Sequence, residues 1–340
     1  MTTNILVTGG CGFIGCNLVK RLLKGGAHVR VLDDLSRAGS DRNRRWLKTL
    51  GYGDALTFIH EDVRDAEAVQ KAIVGVEAVY HFAAQVAVTT SVARPRYDFE
   101  VNTLGTLNVL EAARQLNSPP LIVFTSTNKV YGATADVPIQ ELETRYDYVN
   151  HPLGISEEQP LDFHSPYGCS KGSADQYVHD YSRIYDLPTV VLRQSCIYGV
   201  HQFGNEDQGW VAHFAIAALR NEPITIFGDG KQVRDLLYIA DLLDLFELIL
   251  GNRERVAGKI YNVGGGRDRT VSIWREFEPI LSEFIGRDIE VTYSDWRPGD
   301  QRVYISDIRR IQEDLDWSPQ VTVKDGVRRL LSWLEREGVE

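Results

Sequence analysis

Long apolar runs are missing from this 340-residue chain, and no stretch reaches the length needed to span a bilayer. Positive charge is in deficit: 37 Lys and Arg face 47 Asp and Glu, for a net charge of −10. That balance argues against nucleic acid and membrane surfaces as partners. Cysteine is scarce. Cys11, Cys16, Cys169 and Cys196 lack metal-ligand spacing, so no metal centre is expected and the four read as reduced packing residues, with a reactive thiol as the alternative. An apolar strand already begins near residue 4, which leaves no room for a signal peptide and points to the cytoplasm. Internal repeats, low-complexity tracts and flexible linkers are also missing.

What is present starts with Ile5-Leu-Val-Thr-Gly9-Gly-Cys-Gly12-Phe13-Ile14-Gly15, an apolar strand running into Gly-x-x-Gly-x-x-Gly. An amphipathic helix is expected from about Cys16 to Leu23. The glycines serve a tight turn, close approach to a pyrophosphate and close helix–strand packing. The phosphates would rest on the free N–H groups of the helix N-terminus. A second strand, His28-Val-Arg-Val-Leu, ends in Asp33 and Asp34. An acid there suits the ribose hydroxyls of NAD and repels the 2′-phosphate of NADP, whereas Arg37 could pair with that phosphate.

Further along, Leu56-Thr-Phe-Ile precedes Asp62-Val63, placed to meet the adenine edge. Ala78-Val-Tyr-His-Phe-Ala83-Ala84, followed by Gln85, is an apolar strand whose small final residues let a cofactor lie across it. Asn102 is expected to start a helix, and two more buried strands are Leu121–Thr127 and Thr189–Arg193. Strands alternating with helical patterns imply an α/β fold, a Rossmann-type doubly wound parallel sheet with a smaller C-terminal α/β substrate-binding lobe. The expected division is a NAD-binding domain over 1–192, with a return segment near 236–263, and a substrate lobe over 193–340.

Tyr167 and Lys171 stand four apart in Ser-Pro-Tyr-Gly-Cys-Ser-Lys, which on a helix puts both on one face. A phenol with an unperturbed pKa of about 10 is a poor base at neutral pH. A nearby ammonium favours its phenolate and brings it into working range. Ser126 or Thr127, at a strand end, could meet the same substrate oxygen. These residues form the candidate catalytic group.

Together these residues resemble the extended short-chain dehydrogenase/reductases, in particular the nucleotide-sugar epimerases and dehydratases. The resemblance runs the full length. In the C-terminal half it is carried by Gly228–Asp235, Tyr261-Asn-Val-Gly264-Gly, Arg297-Pro-Gly-Asp300 and Trp317-Ser-Pro319. It implies that Arg234 and Arg297 grip a substrate diphosphate, a role that suits forked guanidinium donors.

Sugar 4,6-dehydratases carry Thr-Asp-Glu where this chain has Thr127-Asn128-Lys129, so an elimination would lack its proton-transfer carboxylates. The Asn128-Lys129 pair resembles instead the CDP-paratose 2-epimerases, as do Glu143-Thr-Arg145-Tyr146, Asp207-Gln208-Gly-Trp210 and Asp300-Gln-Arg302. The resemblance implies a CDP-sugar substrate contacted by Asn128, Lys129, Gln208, Arg234, Arg297 and Asp300, with tightly bound NAD and assembly as a dimer or tetramer. The implied reaction is redox-neutral inversion at C2; other nucleotide-sugar epimerases and a non-catalytic NAD sensor are the alternatives. Asn128 or Lys129 could hold the developing carbonyl or brace the loop. Glu143, Arg145 and Tyr146 could face the sugar or pack a loop, and Trp210 could stack near the base or lie in the core.

Overall fold

The computed structural model describes residues 3–297 and 300–338. Pro298 and Gly299, the middle of the Arg297–Asp300 motif, lie outside the described residues. Two compact units are present. The first takes the chain to Thr127 and recruits Ser165–Arg193 and Leu243–Tyr261; the second holds Asn128–His164, Gln194–Leu242 and the chain from Asn262. The stretch 128–164 therefore packs with the second unit, although its position in the sequence placed it in the first. Its aromatic residues Tyr131, Tyr146 and Tyr148 explain this, since they share a buried core with Val233, Val303 and Tyr304.

The first unit is built on a seven-stranded sheet. Its labelled strands are β1 (Asn4–Thr8), β2 (His28–Leu32), β3 (Leu56–Ile59), β4 (Ala78–His81) and β5 (Leu121–Thr127). The order across the sheet is Lys259–Val263, Thr189–Gln194, β5, β4, β1, β2, β3. Neighbours from β5 to β3 pair in parallel, with Ile5 opposite Val29 on one side and Ala78 on the other. β5 is buried at every position, which fits its unbroken apolar start and its place inside a parallel sheet. The doubly wound α/β architecture is as expected.

Two helix starts differ from the sequence expectation. The first helix, α1 (Phe13–Lys24), begins three residues before Cys16. Gly12 is its N-cap in extended conformation, and Gly15 lets the first turn sit on the glycine loop: a Cβ there would lie 2.3 Å from the Gly9 carbonyl oxygen. Asn102 does not start a helix. It lies within a π-helical turn, Glu100–Leu104, between the helices Pro95–Phe99 and Gly105–Arg114.

In the second unit the strand Val233–Tyr238 pairs in parallel with Cys196–Tyr198 and Val303–Tyr304, and antiparallel with Thr270–Ser272. The Tyr261–Gly265 motif serves this sheet. A Cβ on Gly264 would meet the Asp235 carboxylate at 2.1 Å, and one on Gly265 would meet the Leu236 carbonyl oxygen at 2.3 Å. Trp317 also has a structural role, donating to the Asp241 carbonyl from Nε1 at 3.0 Å.

Candidate active site

The glycine loop forms a cradle open at the N-terminus of α1. Gly9 has φ +66°, and a Cβ on it would come within 2.6 Å of the Ala83 backbone nitrogen at the end of β4. α1 has no side-chain cap and no acidic residue in its first turn, so no side chain competes for the N–H groups there. The half-buried Phe13 and Ile14 supply that turn. At the end of β2, Asp33 accepts from the Cys11 N–H at 2.8 Å and the Leu35 N–H at 2.9 Å. Burial holds its carboxyl above the usual range. A tight cradle, open helix N–H groups and an acid at the second strand end fit the diphosphate and ribose of a dinucleotide.

Other expected cofactor contacts have different surroundings. Asp34 accepts from Ser36, and Asp62 is bound by Arg64 at 2.6 Å. The Val63 side chain is buried in the core beside the Gly105 Cα. Ala83 and Ala84 are half-buried past the end of β4. Gln85 and Asn102 hold each other: the Gln85 N–H donates to Asn102 Oδ1 at 2.9 Å, and Asn102 Nδ2 donates back to the Gln85 carbonyl at 3.0 Å.

The catalytic candidates gather on the helix Ser165–Tyr185 and at the end of β5. Tyr167 and Thr127 are hydrogen-bonded through their side chains. Burial pushes the Tyr167 phenol up, while the Thr127 bond and the Arg37 charge pull it down. Lys171 is held by β5. Its Nζ donates to the Thr125 carbonyl at 2.6 Å and lies 4.1 Å from the centre of the Phe124 ring. Burial brings the Lys171 pKa down to about 7, against the pull of Asp175 and Asp98.

Ser126 departs from its expected place beside the substrate oxygen. Its hydroxyl donates to Asp175 Oδ2 at 2.7 Å. That carboxylate is fully buried and bridged to Arg193 at 2.9 Å. Ser126 is therefore turned toward a buried ion pair that sequence reasoning missed. The signal was there in part, because Asp175 continues the Tyr167, Lys171 stripe at the next i+4 position.

The second unit groups the expected substrate contacts unevenly. Arg234 is bridged to Asp300 at 2.7 Å, and Lys129 Nζ reaches Gln301 Oε1 at 3.4 Å. Burial and the Arg234 charge lower the Lys129 ammonium, while Asp300 raises it. Asn128 is buried. Gln301 donates to the Gly132 carbonyl at 2.5 Å, so Asp300 and Gln301 tie their loop to Arg234 and Gly132. The Arg297 carbonyl accepts from the Asp300 N–H at 3.2 Å, while its guanidinium lies 3.8 Å over the Phe227 ring and donates to the Glu206 carbonyl at 3.0 Å. The Gln208 N–H donates to the Asn205 carbonyl at 3.1 Å.

Three residues with open alternatives have partners within the protein. Arg145 is paired with Glu276, and the Tyr146 hydroxyl donates to Asp229 at 2.6 Å. Trp210 sits edge-on to Phe214 and Phe277. Burial pushes the Cys11, Cys16 and Cys196 thiols up. Cys169 is exposed, so it is not the packing residue expected. Among the described residues, no cluster of three or more His, Cys, Asp or Glu could hold a metal, and no helix is long and apolar enough to cross a membrane.

A family model described as GDP-mannose 4,6 dehydratase matches residues 6–330. The chain belongs to that family. It is 45% identical over 336 residues to a CDP-paratose 2-epimerase of Salmonella typhi, covering 97% of this chain and 98% of that one. It is 31% identical over 333 residues to a UDP-glucose 4-epimerase of Mycolicibacterium smegmatis, covering 98% of each. Among solved structures, it resembles a dTDP-glucose 4,6-dehydratase of Streptomyces venezuelae with NAD bound, at TM-score 0.84 and 30% identity, over 99% of this chain and 100% of that one. A UDP-glucose 4-epimerase of Thermus thermophilus in complex with NAD gives TM-score 0.82 at 32% identity, over 98% and 99%. The family agrees with the resemblance to nucleotide-sugar epimerases and dehydratases carried by the sequence motifs.

Proposed function

We propose that this family member is a NAD-dependent nucleotide-sugar epimerase that inverts C2 of a CDP-activated hexose, of the CDP-paratose to CDP-tyvelose type. One observation carries the choice of chemistry. The Thr127–Tyr167 hydrogen bond sets an oxygen-directed base at the end of β5, and the next two positions are Asn128 and Lys129 rather than carboxylates. An elimination would need an acid and a base there; an oxidation and its reversal need only the phenol. The likeness to the Salmonella epimerase supports C2 as the reacting carbon and CDP as the carrier.

NAD, which the glycine loop and Asp33 would hold, would supply a hydride acceptor for C2 and a donor to the opposite face of the 2-keto sugar, with no net redox. Tyr167 takes the C2 hydroxyl proton, with Thr127 hydrogen-bonded to the same oxygen. Lys171, anchored on Thr125, stands near the helix turn that bears Tyr167 and lends it a positive charge when protonated. Arg234 and Arg297 hold the substrate diphosphate, while Asn128 and Lys129 donate to the developing carbonyl.

A UDP-hexose 4-epimerase is the second reading, favoured by the likeness to UDP-glucose 4-epimerases. The deciding experiment incubates the protein with CDP-, UDP- and GDP-hexoses and follows the products by NMR. Inversion at C2 of a CDP-hexose is expected. Inversion at C4 of a UDP-hexose would select the second reading, and no turnover of any sugar would leave a NAD-binding sensor.

A further inference from the structure

Asp98 is fully buried in the first unit, and the proposed chemistry makes no use of it. It sits on the helix Pro95–Phe99, and its hydrogen bonds come from neutral donors: Ser170 Oγ at 2.5 Å, Gln85 Nε2 at 2.6 Å and Asn102 Nδ2 at 3.2 Å. Neutral donors satisfy a buried carboxylate without placing an opposing cation beside it, so its field reaches further than that of a paired ion. Ser170 is the residue before Lys171. Asn102 also donates to Ser170 Oγ at 3.0 Å, and Thr103 Oγ1 donates to the Ser170 carbonyl at 3.1 Å. One turn of the catalytic helix is thus gripped from the Pro95–Leu104 segment.

We propose that Asp98 is a positioning residue for the Tyr167–Lys171 pair: it fixes the helix turn between them through Ser170 and Asn102, and sets a buried negative charge against both side chains. This rests on the reading of Tyr167 as the oxygen-directed base. The electrostatics agree in direction. Burial is the first cause of the raised Tyr167 phenol, and Asp98 adds to it. Lys171, lowered by burial, is drawn back up by Asp175 and Asp98. The other charges facing the pair are Arg37, which acts on Tyr167, and Arg193, which is bridged to Asp175. His81 is buried and held low by its surroundings, Lys171 included, so it adds no charge at neutral pH. Asp98 is therefore the negative group in this set that has no cation bridged to it in the manner of Asp175 and Arg193.

Asp98→Asn keeps the shape and removes the charge. Tyrosine labelled with ¹³C at Cζ, followed by NMR in the NAD-loaded protein, reports the phenol directly, with Tyr167→Phe assigning its signal. The Tyr167 titration in Asp98→Asn is expected to move down by about one pH unit. The kcat profile is expected to follow it, with KM nearly unchanged. A titration that stays in place overturns the proposal, even if activity falls, because a purely structural loss leaves the phenol's charge environment unchanged. The NMR readout needs no sugar, so a moved titration without epimerase activity would sink only the functional reading.

If Asp98→Asn does not fold, Ser170→Ala removes one grip and keeps the charge. Its kcat is expected to fall about tenfold with the pH midpoint unmoved, and a wild-type kcat would overturn the proposal.

Discussion

The Lys171 ammonium donates to the carbonyl of Thr125, two residues before the Thr127 hydroxyl that bonds the Tyr167 phenol. One strand end, the last three residues of β5, therefore holds both members of the Tyr-x-x-x-Lys pair, each by a different atom. The two side chains are fixed to the sheet rather than to each other. Tyr167→Phe removes the oxygen proposed to carry the proton and keeps the ring in its packing. Turnover should fall by about 10²- to 10⁴-fold, with the thermal midpoint nearly unmoved. Equal losses of turnover and stability would make Tyr167 a structural residue.

Gly15→Ala should be poorly tolerated, since its methyl would press on the Gly9 carbonyl and the Gly10 Cα. A cost of about 1–3 kcal/mol is expected from the forced shift. The purified variant should also carry less dinucleotide. The measurement is NAD and NADP released by acid: wild-type protein should yield mostly NAD, and a yield of mostly NADP would mean that Arg37, not Asp33, sets the preference.

Asp175 and Arg193 form an ion pair almost wholly removed from water, with side-chain exposures of 0% and 3%. Arg193→Leu strands the carboxylate and should cost about 3–5 kcal/mol by urea unfolding. The double variant Asp175→Leu, Arg193→Leu should recover much of that loss, because no buried charge remains. A single variant as stable as wild type would show that Ser126 and solvent suffice for Asp175.

His81 gives a pH signature. Thr106 Oγ1 donates to the Asn102 carbonyl at 2.6 Å, so His81 Nε2, 3.0 Å from that oxygen, must carry the proton. Nδ1 is then the acceptor for Thr8 Oγ1 at 2.6 Å. Burial, aided by Lys171, pushes the imidazole down to about 3. The unfolded chain binds this proton at an ordinary histidine pKa and the folded one does not, so stability falls as pH drops from about 6.5 toward 3. His81→Gln should lose less stability than wild type between about pH 7 and pH 5. Identical slopes in urea midpoints would rule His81 out as the source.

Arg234→Leu should weaken binding of free CDP by about 1.5–3 kcal/mol, the range for a lost charge-assisted bond. Calorimetry with CDP and with a CDP-hexose should give the same loss, since the diphosphate is common to both. Unchanged CDP binding would leave Arg234 as no more than the partner of Asp300.

The parts of the site legible in the sequence are those set by neighbours along the chain. Gly9, Gly12 and Gly15 imply the cradle because a turn and a helix start have local requirements, and Tyr167 and Lys171 share a face by spacing alone. What stayed hidden depends on pairing across elements. Asp175 meets Arg193 only once the strand Thr189–Gln194 lies beside β5. Ser126 and Thr127 alternate along β5, so one hydroxyl faces Asp175 and the other Tyr167. The sequence shows the alternation but not which face is which. Val63 fills core space that Gly105, more than 40 positions away, leaves open, a pairing the sequence does not display.

The π-helical turn at Glu100–Leu104 has a consequence for comparing relatives. A wider turn holds one more residue than the α-helical ladder allows, so the buried face slips by about 100° across it. Asp98 belongs to the phase before the slip, whereas Val109 and Ala113 follow the phase after it. A relative lacking one residue here would restore a regular helix and rotate one set of inward side chains out of place. Alignments through this segment should let the phase change at the turn, and a single-residue deletion there should disturb the catalytic helix more than its position on the chain suggests.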